Sequence, residues 1–300
     1  MMKNARNINT FGLNLNSLQT VHLQDTQIKD FIHLHNNKIT KLEDVKIISN
    51  RNVTDYEISF SGNHISRLTG IPQIWGVKDF FCVDCSIDFV DPFLFANAFN
   101  QTKNLILRKN NLNTANIFQT EGTDLQFTDI DLHSNQISKI GFSDFRKLKY
   151  IQKIWIHDNK ITNVEPGAFY GLRKLYLLNL SYNFIYRLPI DLFRPLVGLN
   201  YLSVHANNLA YFQLKDDVFK NLRFLEIYNN PLQCKCLETI RSYRKTHGII
   251  LEYDKFGEIK NGTQPECIIN NICDPEAGEE FVKDYWQLFN NRSHIHDDLD

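Results

Sequence analysis

The chain lacks long apolar runs. Nowhere do the 18 or more consecutive apolar residues of a membrane helix occur. The opening "MMKNARNINTFGLNLNSLQT" alternates Asn with single apolar residues and has no unbroken apolar segment of a secretory signal. The chain as written therefore reads as soluble, and an export signal is expected only outside it. Charge of one sign is lacking too. Thirty-three Lys plus Arg against 34 Asp plus Glu create no field that would draw in nucleic acid or an anionic membrane. There is no HExxH, GxSxG, Gly-rich phosphate loop or calcium loop, so no cofactor is implied and an enzyme is not expected. Cysteine is scarce. Four of the 6 cysteines, Cys234, Cys236, Cys267 and Cys273, fall in the last quarter, which points to a disulfide-stapled element and an oxidising compartment. The other two form a Cys82-x-x-Cys85 pair, whose spacing alone fits a metal clip, a redox pair or neither.

What is present is a period. "LLNLSYNFIYRL" and "KIWIHDNKITNV" both read apolar-x-apolar-x-x-Asn-x-apolar-x-x-apolar, a pattern that resembles the leucine-rich repeat. Sliding it along the chain puts the Asn position at Asn37, Asn63, Cys85, Asn110, Asn135, Asn159, Asn183, Asn207 and Asn230, with spacings of 26, 22, 25, 25, 24, 24, 24 and 23. The expected fold is an α/β solenoid, a horseshoe in which one short strand per coil joins a concave parallel sheet. Phe95, Phe145, Phe169 and Phe193 each lie ten residues after the Asn position, which predicts a stack of rings under the convex side.

On this template Cys82 stands where Leu is usual and Cys85 where Asn is usual. The Asn position exists because the coil turns sharply there and its buried backbone groups need an internal partner. Cys82 and Cys85 are accordingly expected to be buried, reduced packing residues, with a local disulfide or redox pair as the alternative.

An open stack needs a cap. After Asn230, Leu237, Ile240, Tyr243 and Arg244 fit a short amphipathic helix across the last coil. Cys234 and Cys236 are too close to bond each other, so each should reach forward, one to Cys267 and one to Cys273. "NNPLQCKC" followed by "QPECIINNIC" resembles the cysteine-flanked C-terminal cap of extracellular leucine-rich-repeat proteins, most like secreted insect members and more distantly Toll-type receptor ectodomains. That resemblance implies Cys234 to Cys267 and Cys236 to Cys273. Two departures stand out: no cysteine-rich N-terminal cap precedes Cys82, and no membrane helix follows. The organisation expected is an irregular half-repeat over 1–28 with Thr26 at the Asn position, about nine repeats over 29–230, the cap over 231–275, and a short helix with an acidic tail over 276–300. Phe281, Tyr285 and Leu288 carry the helical spacing of that last helix.

Function is expected on the outward strand positions, read by alternation. Trp155, Leu177, Tyr201, Phe224 and Tyr228 form an aromatic and aliphatic cluster of the kind that anchors a protein ligand or co-receptor. His33, His35, His133, His157 and His205 also face outward. His133 and His157 fall on adjacent strands beside Asp131 and Asp129, a setting for partner contact, pH sensing or a metal. Asp129, Asp131 and His133 are the only support for a metal-dependent enzyme. Sequons at Asn52, Asn100, Asn261 and Asn291 are candidate glycosylation sites, whereas Asn179 lies within a strand. The reading is a secreted, non-enzymatic interaction module in immune recognition or signalling, with an adhesion or receptor ectodomain fragment as the alternative.

Overall fold

A computed structural model describes residues 2–3, 8–24, 28–48, 55–70, 74, 76–122, 124–251, 267–268 and 272–283. Its main sheet has 11 parallel strands whose order follows the chain. They are Ile8–Gly12, Ile28–His33, Tyr56–Ser59, Val77–Phe81, Asn104–Ile106, Asp129–Asp131, Lys153–Trp155, Leu177–Asn179, Tyr201–Ser203, Phe224–Glu226 and Ile250–Leu251. Parallel neighbours need a crossover between them, and the rest of each coil supplies it. Inward strand positions such as Ile154, Ile156, Leu178 and Leu180 are fully buried.

The Asn positions hold the coils together. Asn159 is typical: its amide donates to Ile156 O at 3.2 Å in its own coil and to Leu132 O at 3.0 Å in the coil before, while its Oδ1 accepts the Ile137 N–H at 3.0 Å. The same acceptor bond recurs from Leu112 to Asn135, Ile161 to Asn183, Ile185 to Asn207 and Leu209 to Asn230, each at 3.0 Å. The turn that aims each Asn inward puts the residue before it in the left-handed region, among them Asp84, Lys109, Tyr182 and Ala206 with φ of 55, 55, 51 and 50°.

At Cys85 this arrangement changes, and the expectation of reduced cysteines is corrected. Cys82 and Cys85 are fully buried as expected, but they are joined in a disulfide across a Cα separation of 5.7 Å. The cause is the turn itself. It folds the Asn position back onto the position three residues earlier, the same approach that lets Asn110 donate to Leu107 O at 2.9 Å. Two thiols placed there lie within disulfide reach.

The start of the chain also differs. Thr26 lies outside the described residues, and the register assigns its expected role to Asn16. Strand Ile8–Gly12 pairs with Ile28–His33. Leu15, just before Asn16, has the turn's φ of 55°, and Leu18 N–H donates to Asn37 Oδ1 at 3.3 Å as the corresponding residue does in later coils. Val21–Gln24, within the stretch expected to form that half-repeat, instead joins a separate three-stranded sheet with Met2–Lys3 and Val45–Ile48.

The rings under the convex side run Phe95 to Phe118, Phe118 to Phe145 and Phe145 to Phe169, with centroids 5.9, 6.2 and 6.4 Å apart. Phe193 packs instead on Phe212 and Phe219 at 6.0 and 5.3 Å. The ten-residue rule missed Phe118 and Phe219 because their coils reach the same spot after different chain lengths.

The cap helix spans Cys234–His247 and buries Cys236, Leu237 and Ile240. It ends on Gly248, whose φ of 65° lets its N–H return to Arg244 O. Cys234 is bonded to Cys267 and Cys236 to Cys273. Beyond them Ala277 and Val282 pack with Phe281 against Ala210 and Tyr186, and the Arg187 guanidinium donates to Glu276 O at 2.8 Å. Tyr285, Leu288 and the acidic tail lie outside the described residues.

Asn159→Ala should cost ~3–5 kcal/mol, because it strands buried backbone groups in two coils at once; chemical denaturation measures it, and a loss below 1 kcal/mol would deny the ladder its role. Non-reducing digestion with mass spectrometry should return three disulfides, Cys82 to Cys85 among them.

Candidate functional site

Strand alternation sets three outward columns on the concave face, at six, four and two residues before each Asn position. The expected residues occupy all three columns. Leu177, Tyr201 and Phe224 are cross-strand partners in the first, and the last strand adds Ile250 beside Phe224. Trp155 lies in the second and is paired with Asn179. His133, His157, His205 and Tyr228 lie in the third. The apolar cluster therefore has two edges, with Trp155 between them in the second column, followed there by Asn179 and Ser203, both buried. At one edge the Tyr201 and Phe224 rings sit 6.0 Å apart. At the other, His205 stacks on Tyr228 at 4.4 Å and meets Tyr182 edge-on at 4.9 Å.

Tyr182 and Ile250 were missed by the sequence reading, yet they are 49% and 48% exposed. The signal for Tyr182 is its place just before Asn183, at the turn that lifts the residue onto the rim. A bulky side chain there costs about 1–2 kcal/mol of backbone strain.

The histidines are not open to solvent in the way alternation implies. His205 is only 7% exposed, and its Nδ1 lies 2.9 Å from Ser203 Oγ and 3.2 Å from Glu226 Oε2. Burial works against the Glu226 carboxylate, but hydrogen bonds from His205, Ser203 and Tyr201 hold it at about 2. His133 Nδ1 is 2.6 Å from Asp131 Oδ1, and its ring stacks on His157 at 4.3 Å with 15° between planes. His157 Nδ1 is buried without a hydrogen-bond partner. Burial first, then His133, pushes the His157 ring down to about 4. Side chains from neighbouring strands converge on a concave sheet, which is why outward positions become half-buried. His33 and His35 stack at 5.0 Å on the second strand, away from this group.

Asp129 faces Lys153 Nζ at 3.4 Å, so it is drawn from Asp131 and His133 toward the next strand. Among the described residues no group of three His, Cys, Asp or Glu side chains comes together to hold a metal ion. Of the sequons, Asn100 is exposed, and Asn52, Asn261 and Asn291 lie outside the described residues. Asn179 is buried with its Oδ1 accepting from the Ser181 N–H and hydroxyl at 3.0 and 2.7 Å.

Folded His157 binds its proton less readily than the unfolded chain, whose ordinary value is 6.5. Stability should therefore fall as pH drops from about 6.5 to about 4, since the unfolded state takes up the proton first. NMR titration should give His157 a midpoint near 4, and His157→Gln should flatten part of the loss in that window. A midpoint at 6.5 would mean the ring stands in water.

A leucine-rich-repeat family model matches residues 149–209. Lumican of Gallus gallus is 27% identical over 222 residues, covering 72% of this chain and 54% of lumican. Podocan of Mus musculus is 25% identical over 168 residues, 52% of this chain and 27% of podocan. Leucine-rich repeat-containing protein 66 of Homo sapiens is 36% identical over 142 residues, 42% of this chain and 16% of that protein. The chain thus spans about half the length of lumican and less of the other two. These relatives say nothing of the likeness to secreted insect members. A solved leucine-rich-repeat protein of Leptospira interrogans superposes with a TM-score of 0.54 at 20% identity over 79% of this chain and 66% of that one. The matched repeat is continued in the same coil geometry on both sides, so the chain has the leucine-rich-repeat fold and is similar to these proteins.

Proposed function

We propose that the chain is a non-enzymatic module that binds a protein ligand or co-receptor on its concave face, outside the cell, in recognition or signalling of the immune kind. The observation that carries this is the set of aromatic side chains left partly exposed on that face while inward positions such as Ile154, Leu178 and Leu202 are fully buried. Tyr201 and Phe224 fill no cavity of the core, and exposed aromatics of this sort serve as anchors because they offer large contact area at low entropic cost. The described segment after the cap packs toward Tyr186 and Ala210 and leaves this face free of itself. All six cysteines are paired, which fits an oxidising compartment. Asn52, Asn100, Asn261 and Asn291 are the proposed sites of N-glycosylation there.

The adhesion or receptor-ectodomain reading rests on the resemblance of the cap to that of Toll-type receptor ectodomains. No helix of the described residues is long and apolar enough to cross a membrane.

Trp155→Ala and Tyr201→Ala should each weaken capture of the partner by about 1–4 kcal/mol while leaving the fold intact. Leu178→Ala, at a fully buried inward position, should cost about 2–5 kcal/mol of stability instead. Melting and affinity measured on the same three variants separate the two effects. Equal destabilisation by Trp155→Ala and Leu178→Ala would remove the proposed surface.

A further inference from the structure

The first outward column is sorted along its length. Register pairs Glu57 with Asp79, Asp79 with Asn104, Asn104 with Asp129, Asp129 with Lys153 and Lys153 with Leu177. From there it passes to Tyr201, Phe224 and Ile250. After Phe31, which is exposed and pairs with Glu57, the column is acidic as far as Asp129 and apolar from Leu177 on, with Lys153 at the border.

The acidic half is under-compensated. In the first column Glu57, Asp79 and Asp129 face one permanent cation, Lys153, which pairs with Asp129, whereas Asp131 and Glu226 of the second column are met by His133 and His205. Asp129 Oδ1 is buried with no hydrogen-bond partner. Burial first pushes the Glu57 carboxyl up, against the pull of His33 and with the help of Asp79, and burial does the same at Asp129 against the pull of Lys153. Carboxylates held this close and partly dried gain by meeting a cation, and the stability of the face alone gives no reason to line them up.

We propose that the concave face takes an extended segment of a partner protein that carries lysines or arginines at one end and bulky apolar side chains at the other. The segment lies across the strands, its basic end over Glu57, Asp79 and Asp129 and its apolar end over Leu177, Tyr201, Phe224 and Ile250. This rests on the concave face being the binding surface and adds what it reads. Adjacent strands are about 4.8 Å apart and an extended chain advances about 3.3 Å per residue. The eight steps from Glu57 to Ile250, about 38 Å, correspond to about 12 residues. Charge pairing at the acidic end sets the direction and the salt dependence, while the aromatic end holds the complex together.

The probe is a synthetic 12-residue peptide with three lysines at one end, a Gly-Ser spacer, and Leu-Phe-Leu at the other, read by fluorescence polarisation at two salt concentrations. A companion peptide carries glutamates in place of the lysines. The full chain should bind the basic peptide at least about tenfold tighter than its acidic companion. The paired substitution Glu57→Gln with Asp79→Asn should remove most of that preference and the salt dependence. Tyr201→Ala should weaken binding about tenfold and leave the salt dependence in place. If the paired substitution changes nothing while Tyr201→Ala still weakens binding, the sorted column is not read and this proposal falls, but the concave reading stands. If neither peptide binds, or both bind equally, the proposal also falls, and the concave reading is judged by the natural partner. Concentration-dependent dimerisation that Tyr201→Ala abolishes would give the face to a second copy of this chain and overturn the proposal.

Discussion

One hydrogen-bonding constraint underlies the rest of this molecule. Each coil turns sharply inward and carries backbone N–H and C=O groups into a dry interior, where leaving them unpaired would cost more than any single side-chain contact returns. A single Asn amide serves two successive coils at once. That shared use fixes the spacing and register between coils, so the parallel sheet and its columns follow from it. It also makes stability local, since each coil depends on its neighbours and on the ends being closed. At Cys85 the shared amide is absent and a covalent bond across the turn stands in its place. At the C-terminal end the Cys234–His247 helix and its two disulfides cover what would be an open coil.

The concave face shows what such a register costs and what it makes available. Strands held at hydrogen-bonding distance crowd their outward side chains, so polar groups there must find one another. Ser203, His205 and Glu226 do so, as do Asp131 and His133. Most of the aromatic residues are left at the two edges, with Trp155 in the middle column beside Asn179. The same register that satisfies the interior thereby brings the residues of successive coils into columns along the face.

Much of this was legible before any coordinates. The Asn positions from Asn37 to Asn230, the inward and outward alternation, and the forward pairing of the cap cysteines all come from short-range periodicity or from the cap resemblance, and the coil preserves them. Some features escaped for physical reasons. Phe118 reaches the ring stack from a different offset because its coil takes a different path. Asn16, by contrast, was legible and overlooked: Phe11, Leu13, Leu18 and Val21 fit the template around it, and its register with Asn37 is regular from Thr10 onward. Cys82 and Cys85 looked like packing residues because the template records which way side chains point and not how near two of them come.

By itself the sequence determined the coil, its period, and which side of each strand is buried, because these depend on residues within one repeat. Tertiary structure alone decided that Cys82 and Cys85 are bonded, that His205 is enclosed while Tyr182 stands on the rim, and that the apolar residues split into two edges. The disulfide depends on how near one turn brings two side chains three residues apart, and the other outcomes on distances between side chains about one repeat apart, set by stacking and curvature; the direction in which a side chain points encodes neither.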